Sequence, residues 1–144
     1  MAFMIDLTDQ RLQIAANEDV IDFVRRTSPS AHGDVGSLLL SLGKEIPGAR
    51  GYCPSYRSFA YVVLHTEADR IFAIAYGQRG LAFRINEPAR AAAIADGGEP
   101  DPDVGADWVR FDPFDPHAKA GMRERLGRWC RQAFADAQDT SAER

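Results

Sequence analysis

Apolar residues recur at helical spacing towards both ends of the chain and at strand spacing in its middle. Val20, Ile21, Phe23 and Val24 fall within one arc at about 100° per residue, and Asp22, Arg25 and Arg26 lie opposite. That pattern predicts an amphipathic helix ending near Thr27. Asn17 is placed to cap it, and Glu18 and Asp19 occupy the first turn, where the helix dipole favours acids. A second helix is predicted to open at Ser28-Pro29, a capping residue followed by proline at the first helical position. Val35, Leu38, Leu39, Leu42 and Ile46 share one of its faces, and Pro47 with Gly48 ends it. Ahead of both helices, residues 3–7 and 11–15 are expected as short strands.

The period then changes to two. The segments SFAYVVLHT (58–66), RIFAIAYG (70–77) and GLAFRIN (80–86) are short, rich in β-branched and aromatic residues, and separated by turn-sized gaps. They predict an antiparallel meander. Leu81, Phe83 and Ile85 point one way, Ala82 and Arg84 the other. Asn86 is placed to cap a helix from Pro88 to about Ala95, which Gly97-Gly98 terminates. The acidic loop EPDPDVGAD leads to a fourth strand, DWVRF, with Val109 and Phe111 on one face and Trp108 and Arg110 on the other. From Asp115-Pro116 a long helix runs to about Ala137. Met122, Leu126, Trp129, Cys130, Ala133 and Phe134 form its apolar arc, while Arg123, Arg125, Arg128 and Arg131 spread across the other side. The expected class is α+β, in two layers: one antiparallel sheet with helices mainly on one face, and Trp129 buried against the sheet. Residues 1–138 are expected to form a single domain and 139–144 a frayed tail.

Composition narrows the function classes. With 45% hydrophobic and 26% charged residues the chain is ordinary globular material. A net charge of −4 argues against general attraction to nucleic acid or anionic membrane and leaves room for a local basic patch. No apolar run approaches the roughly 18 residues of a membrane helix, and the acidic N-terminal segment does not suit a secretion signal. A cytoplasmic protein is expected, with Cys53 and Cys130 as reduced thiols. Fifteen arginines against two lysines, with abundant alanine, suit a GC-rich bacterial genome.

The second half carries a family likeness. RIFAIAYGQRGLAFRI, a short helix, DWVRFDP and LGRWCRQAFADA resemble the small domains grouped around YjbR and the N-terminal domain of TfoX. Phe72, Leu81, Arg84, Trp108, Val109, Leu126 and Trp129 match their hairpin, Trp-Val strand and terminal helix. Pro54-Ser55-Tyr56 is similar to a Pro-x-Tyr of the YdhG-like domains. The resemblance spans about residues 45 to 138, without the Met-Phe-Gly-Gly turn typical of the TfoX domain. It implies a compact α/β domain without established catalysis, in families suspected of binding DNA or linked to competence regulation.

Candidate chemistry is sparse. RGYCPSYR (50–57) sets Cys53 between two tyrosines and two arginines. A nucleophile there needs a histidine base and a lowered thiol pKa, whereas Gly51 and Pro54 favour a partly buried thiol in a turn, which is the reading adopted. Cys53, His65, His117 and Cys130 have zinc-ligand chemistry without the short spacings of such sites. The Asp101–Asp112 loop has its glycine one position early for a calcium loop. No nucleotide-loop, nucleophile-elbow or zincin motif occurs. No catalytic residue, metal ligand or cofactor is therefore assigned. If helices cover the face bearing Leu81 and Phe83, then Arg84, Trp108 and Arg110 project from the other face, with Tyr56 and Arg57 at its edge. Arginine and tryptophan concentrate in binding hot spots. These five residues form the expected partner-binding surface, for a protein partner or a second copy of the chain, with nucleic acid as a further possibility and no membrane. The alternative is a small-molecule-binding domain or enzyme with a pocket near Tyr52, Tyr56, Arg57 and His65.

Overall fold

The computed structural model describes residues 10–54, 61–115 and 121–139. Its strands are β1 (Arg50–Tyr52), β2 (Val62–His65), β3 (Ile71–Tyr76), β4 (Gly80–Arg84), β5 (Glu99–Pro100) and β6 (Trp108–Phe111). They form one sheet in the order β1-β2-β3-β4-β6-β5, every neighbour antiparallel. The helices are α1 (Glu18–Thr27), α2 (Gly33–Lys44), α3 (Ala89–Ala95) and α4 (Met122–Gln138). This is an α+β fold.

The alternation along β4 and β6 sorts the core as the sequence predicts. Leu81, Phe83, Ile85, Val109 and Phe111 face a cluster completed by Leu39 and Leu42 of α2, Ala93 of α3, and Leu126, Trp129 and Cys130 of α4. Trp129 is buried, as expected. Three of the four helices thus lie on one face. On the other, Val63, Ile71, Ile74, Ala82 and Trp108 meet Val20, Ile21, Phe23 and Val24 of α1, together with Leu12. Ile71 and Ile74 share this face although three apart, because the β2–β3 register shifts between Leu64 and His65. The expectation of an uncovered second face is therefore corrected: α1 covers it.

Three local expectations also change. Residues 11–15 are not a strand but run from one 3-10 turn, Gln10–Leu12, into another, Ala15–Asn17; residues 3–7 lie outside the described residues. Asn17 makes no capping bond. Its buried amide instead donates to the carbonyls of Leu12 and Asp69 at 2.9 and 2.8 Å and accepts from the Ile71 N–H at 2.8 Å, tying the turns to the start of β3. Asn17→Leu is expected to cost about 3 kcal/mol in denaturant unfolding, because these backbone groups lose their partner inside the protein. A change under about 0.5 kcal/mol would contradict that role. Finally, α2 starts at Gly33 and not at Ser28-Pro29. Ser28 takes a left-handed φ of 46° at the end of α1. The Ser30–His32 backbone then pairs with Gly77, and His32 becomes the cap, its Nδ1 accepting from the Asp34 N–H at 3.1 Å. The edge strands β1 and β5 are only three and two residues long, too short to show an alternating pattern in the sequence.

Candidate functional site

The expected Arg84, Trp108 and Arg110 surface comes apart in three dimensions. Arg84 grips Asp19 of α1 through both terminal nitrogens at 2.9 Å, and donates to the carbonyls of Ile71 and Ala16. Trp108 gives its indole N–H to the same carboxylate at 2.8 Å, and the Arg84 guanidinium lies 4.9 Å from the indole centroid. Trp108 is only 1% exposed. Asp19, which the sequence offers as a dipole-stabilising acid, is thus the clamp that fixes α1 to the sheet. Arg84 and Trp108 are spent on that clamp and present no face to a partner. Arg110 stays partly accessible. Tyr56 and Arg57 lie outside the described residues.

Arg110 belongs instead to a cavity of about 400 Å3 at one end of the sheet. The β3–β4 turn, the chain from α3 into β5, the end of β6 and the first turn of α4 meet there. Each element contributes charge, and the charges come in pairs. Arg79 Nε lies 3.2 Å from Asp112, Arg110 lies 3.2 Å from Glu99, and Arg125 Nε lies 3.3 Å from Asp96. Asp115 also lines the cavity, so among the described residues three guanidinium groups face four carboxylates. Asp96 is further held by Arg128 at 3.3 Å and by the Trp129 indole N–H at 2.8 Å.

Tyr76 stands at the rim between charges. Its hydroxyl donates to Asp101, itself a buried carboxylate. Burial first, then that hydrogen bond, hold the Tyr76 hydroxyl well above the usual tyrosine range; Arg110 pulls the other way without prevailing. The contact with Tyr76 raises the pKa of the Arg110 guanidinium above its usual range; burial opposes the rise, and Glu99 adds to it. Tyr76 is therefore a neutral donor beside fixed charges. Gly77 and Gly97 both take a positive φ, the left-handed region that favours glycine. Among the described residues, the lining contains no serine, threonine, cysteine, histidine or lysine, and it offers hydrogen bonds and charge.

The remaining candidates fall elsewhere. His65 is 4% exposed, and its Nδ1 lies 2.8 Å from the Thr66 carbonyl, which engages the ring locally. Tyr52 is half-buried at the edge strand. Neither lines the cavity. Cys53 is exposed and Cys130 buried, and both thiols are free. Burial raises the Cys53 thiol pKa, the opposite of what an activated nucleophile needs, and pushes Cys130 up to about 12. In native protein at pH 8 a thiol reagent is expected to label Cys53 and to reach Cys130 only on unfolding. Rapid labelling of Cys53 at pH 6 would contradict this. His117 lies outside the described residues. Among the described residues, no cluster of histidine, cysteine and acids is placed to hold a metal, and no helix is long and apolar enough to cross a membrane.

The chain matches no family model, no curated protein and no solved structure. Within the fold, the residues that carry the YjbR-like resemblance are structural. Phe72, Leu81, Trp108, Val109, Leu126 and Trp129 are all buried, and Arg84 holds α1. These positions serve packing in this fold, and none of them lines the cavity.

Proposed function

We propose that this protein is a binding domain without catalytic chemistry, and that its ligand is a small molecule bearing both an acidic and a basic group, such as an amino acid. The observation that carries the reading is the ring of three arginine–carboxylate pairs around one cavity of about 400 Å3, within the usual size of ligand pockets. The balance of charge selects the ligand class. A simple anion meets four carboxylates and a simple cation meets three guanidinium groups, whereas a zwitterion offers each sign a partner. Glu99 and Arg110 are 71% and 40% exposed at the side chain, so their pair is weak and can open to admit a ligand's carboxylate.

A protein partner, a second copy or nucleic acid rested on an open sheet face. With α1 on that face, the arginines best placed for a ligand are those of the cavity. The YjbR-like likeness is compatible with a non-catalytic role and adds no ligand.

A thermal-shift screen with amino acids and dipeptides, dicarboxylates, polyamines and sugars tests the proposal, since a ligand that binds only the folded state raises Tm. Stabilisation by the zwitterions, lost in Arg110→Gln, is the expected result. Stabilisation confined to singly charged or neutral compounds, or none from any group, overturns it.

A further inference from the structure

A second feature lies outside the cavity, where α4 passes the end of α2. Gly127 stands near the middle of this 17-residue helix, where glycine is the poorest choice after proline. Close helix packing does not require it. A Cβ built there would sit 4.0 Å from Cδ2 of Leu42 on α2, an ordinary contact. It would sit 3.2 Å from Nη1 of Arg131, which is tight. The missing side chain makes room for a guanidinium.

That guanidinium has no carboxylate or carbonyl partner among the described residues. It borders a groove of about 320 Å3 lined by Arg123, Arg128, Arg131, Glu45 and Glu124. Arg123 is held by Glu45 at 2.7 Å and by the Ser41 hydroxyl at 3.0 Å. Arg128 reaches Asp96 only at 3.3 Å and is 59% exposed. Three arginines against two glutamates leave the groove net positive, unlike the cavity at the end of the sheet. Guanidinium groups bind tetrahedral oxyanions through paired N–H donors, and two or three converging ones make a phosphate site.

We propose that this groove binds a phosphate group, free or as a small monoester, against Arg131, with Arg123 and Arg128 flanking it and Gly127 keeping the guanidinium in place. The groove shares no lining residue with the cavity, which Arg128 touches only through Asp96, and the proposal stands whether or not the cavity binds a zwitterion. Gly127→Ala should keep the helix, because alanine favours it, and should shift the Arg131 guanidinium slightly.

Isothermal titration with inorganic phosphate and with glucose phosphate, on wild type, Gly127→Ala, Arg131→Gln and, as a distant control, Arg50→Gln, tests this. The expected result is binding in wild type and Arg50→Gln, weakened about tenfold or more in Arg131→Gln, as the loss of a charge-assisted hydrogen bond predicts, and weakened less in Gly127→Ala. The tighter of the two compounds distinguishes a free anion from a monoester. Absence of binding to wild type at millimolar phosphate overturns the proposal. So does wild-type affinity in Arg131→Gln, with the fold of each variant checked by circular dichroism.

Discussion

Arg84→Leu is expected to destabilise the protein by about 3–5 kcal/mol, the usual consequence of removing one member of a largely buried ion pair. The side chains of Arg84 and Asp19 are only 14% and 28% exposed, so solvent screens the pair little. Without the guanidinium, Asp19 keeps the Trp108 indole and the Val20 N–H but loses its countercharge. The carbonyls of Ile71 and Ala16 lose a donor as well. The consequence reaches beyond one residue, because α1 is held to the sheet by this clamp together with its apolar arc. Denaturant unfolding measures the effect. A loss under about 0.5 kcal/mol is what an exposed partner-binding arginine would give, and it would mean that α1 does not lie on this face.

Trp129→Ala is expected to cost a similar 3–5 kcal/mol, the range for emptying a large aromatic core site. The ring is 7% exposed among Leu126, Cys130 and the sheet residues. Its N–H also fixes Asp96, a wall of the cavity. Trp129→Phe separates the two roles. It should retain most of the packing and cost about 1 kcal/mol for the lost hydrogen bond. It should also loosen Asp96 and so reduce the stabilisation that zwitterions confer. Equal losses in the two variants would show that packing is not the main term.

Strand facing was legible because period two leaves few choices: the outward and inward residues of β4 and β6 follow directly from GLAFR and WVRF. The cover on the second face was legible in part. Ile71–Ala75 is apolar without alternation and wholly buried, the mark of a strand covered on both sides, and α1 had an apolar arc in need of a partner. What sequence could not supply was the pairing of Asp19 with Arg84, since an acid in a first turn already has a reason to be there. The cavity was not legible. Its walls come from four stretches, around Tyr76–Gly80, Asp96–Glu99, Arg110–Asp115 and Met122–Arg125, joined by chain reversal and not by spacing. Gly127 carried a readable signal, a glycine inside a strongly helical run, but its meaning depends on where Arg131 folds.

The two tryptophans offer one measurement that separates the cavity from the sheet face. The Trp129 indole N–H is bonded to Asp96 at the cavity wall, and the Trp108 indole N–H to Asp19 beneath α1. In a 1H–15N spectrum each gives one resolved indole signal, assigned with Trp129→Phe. On titration with the stabilising amino acid, the Trp129 indole signal should move and saturate while the Trp108 signal stays still. Movement of the Trp108 signal alone would place the ligand at the sheet face and contradict the account.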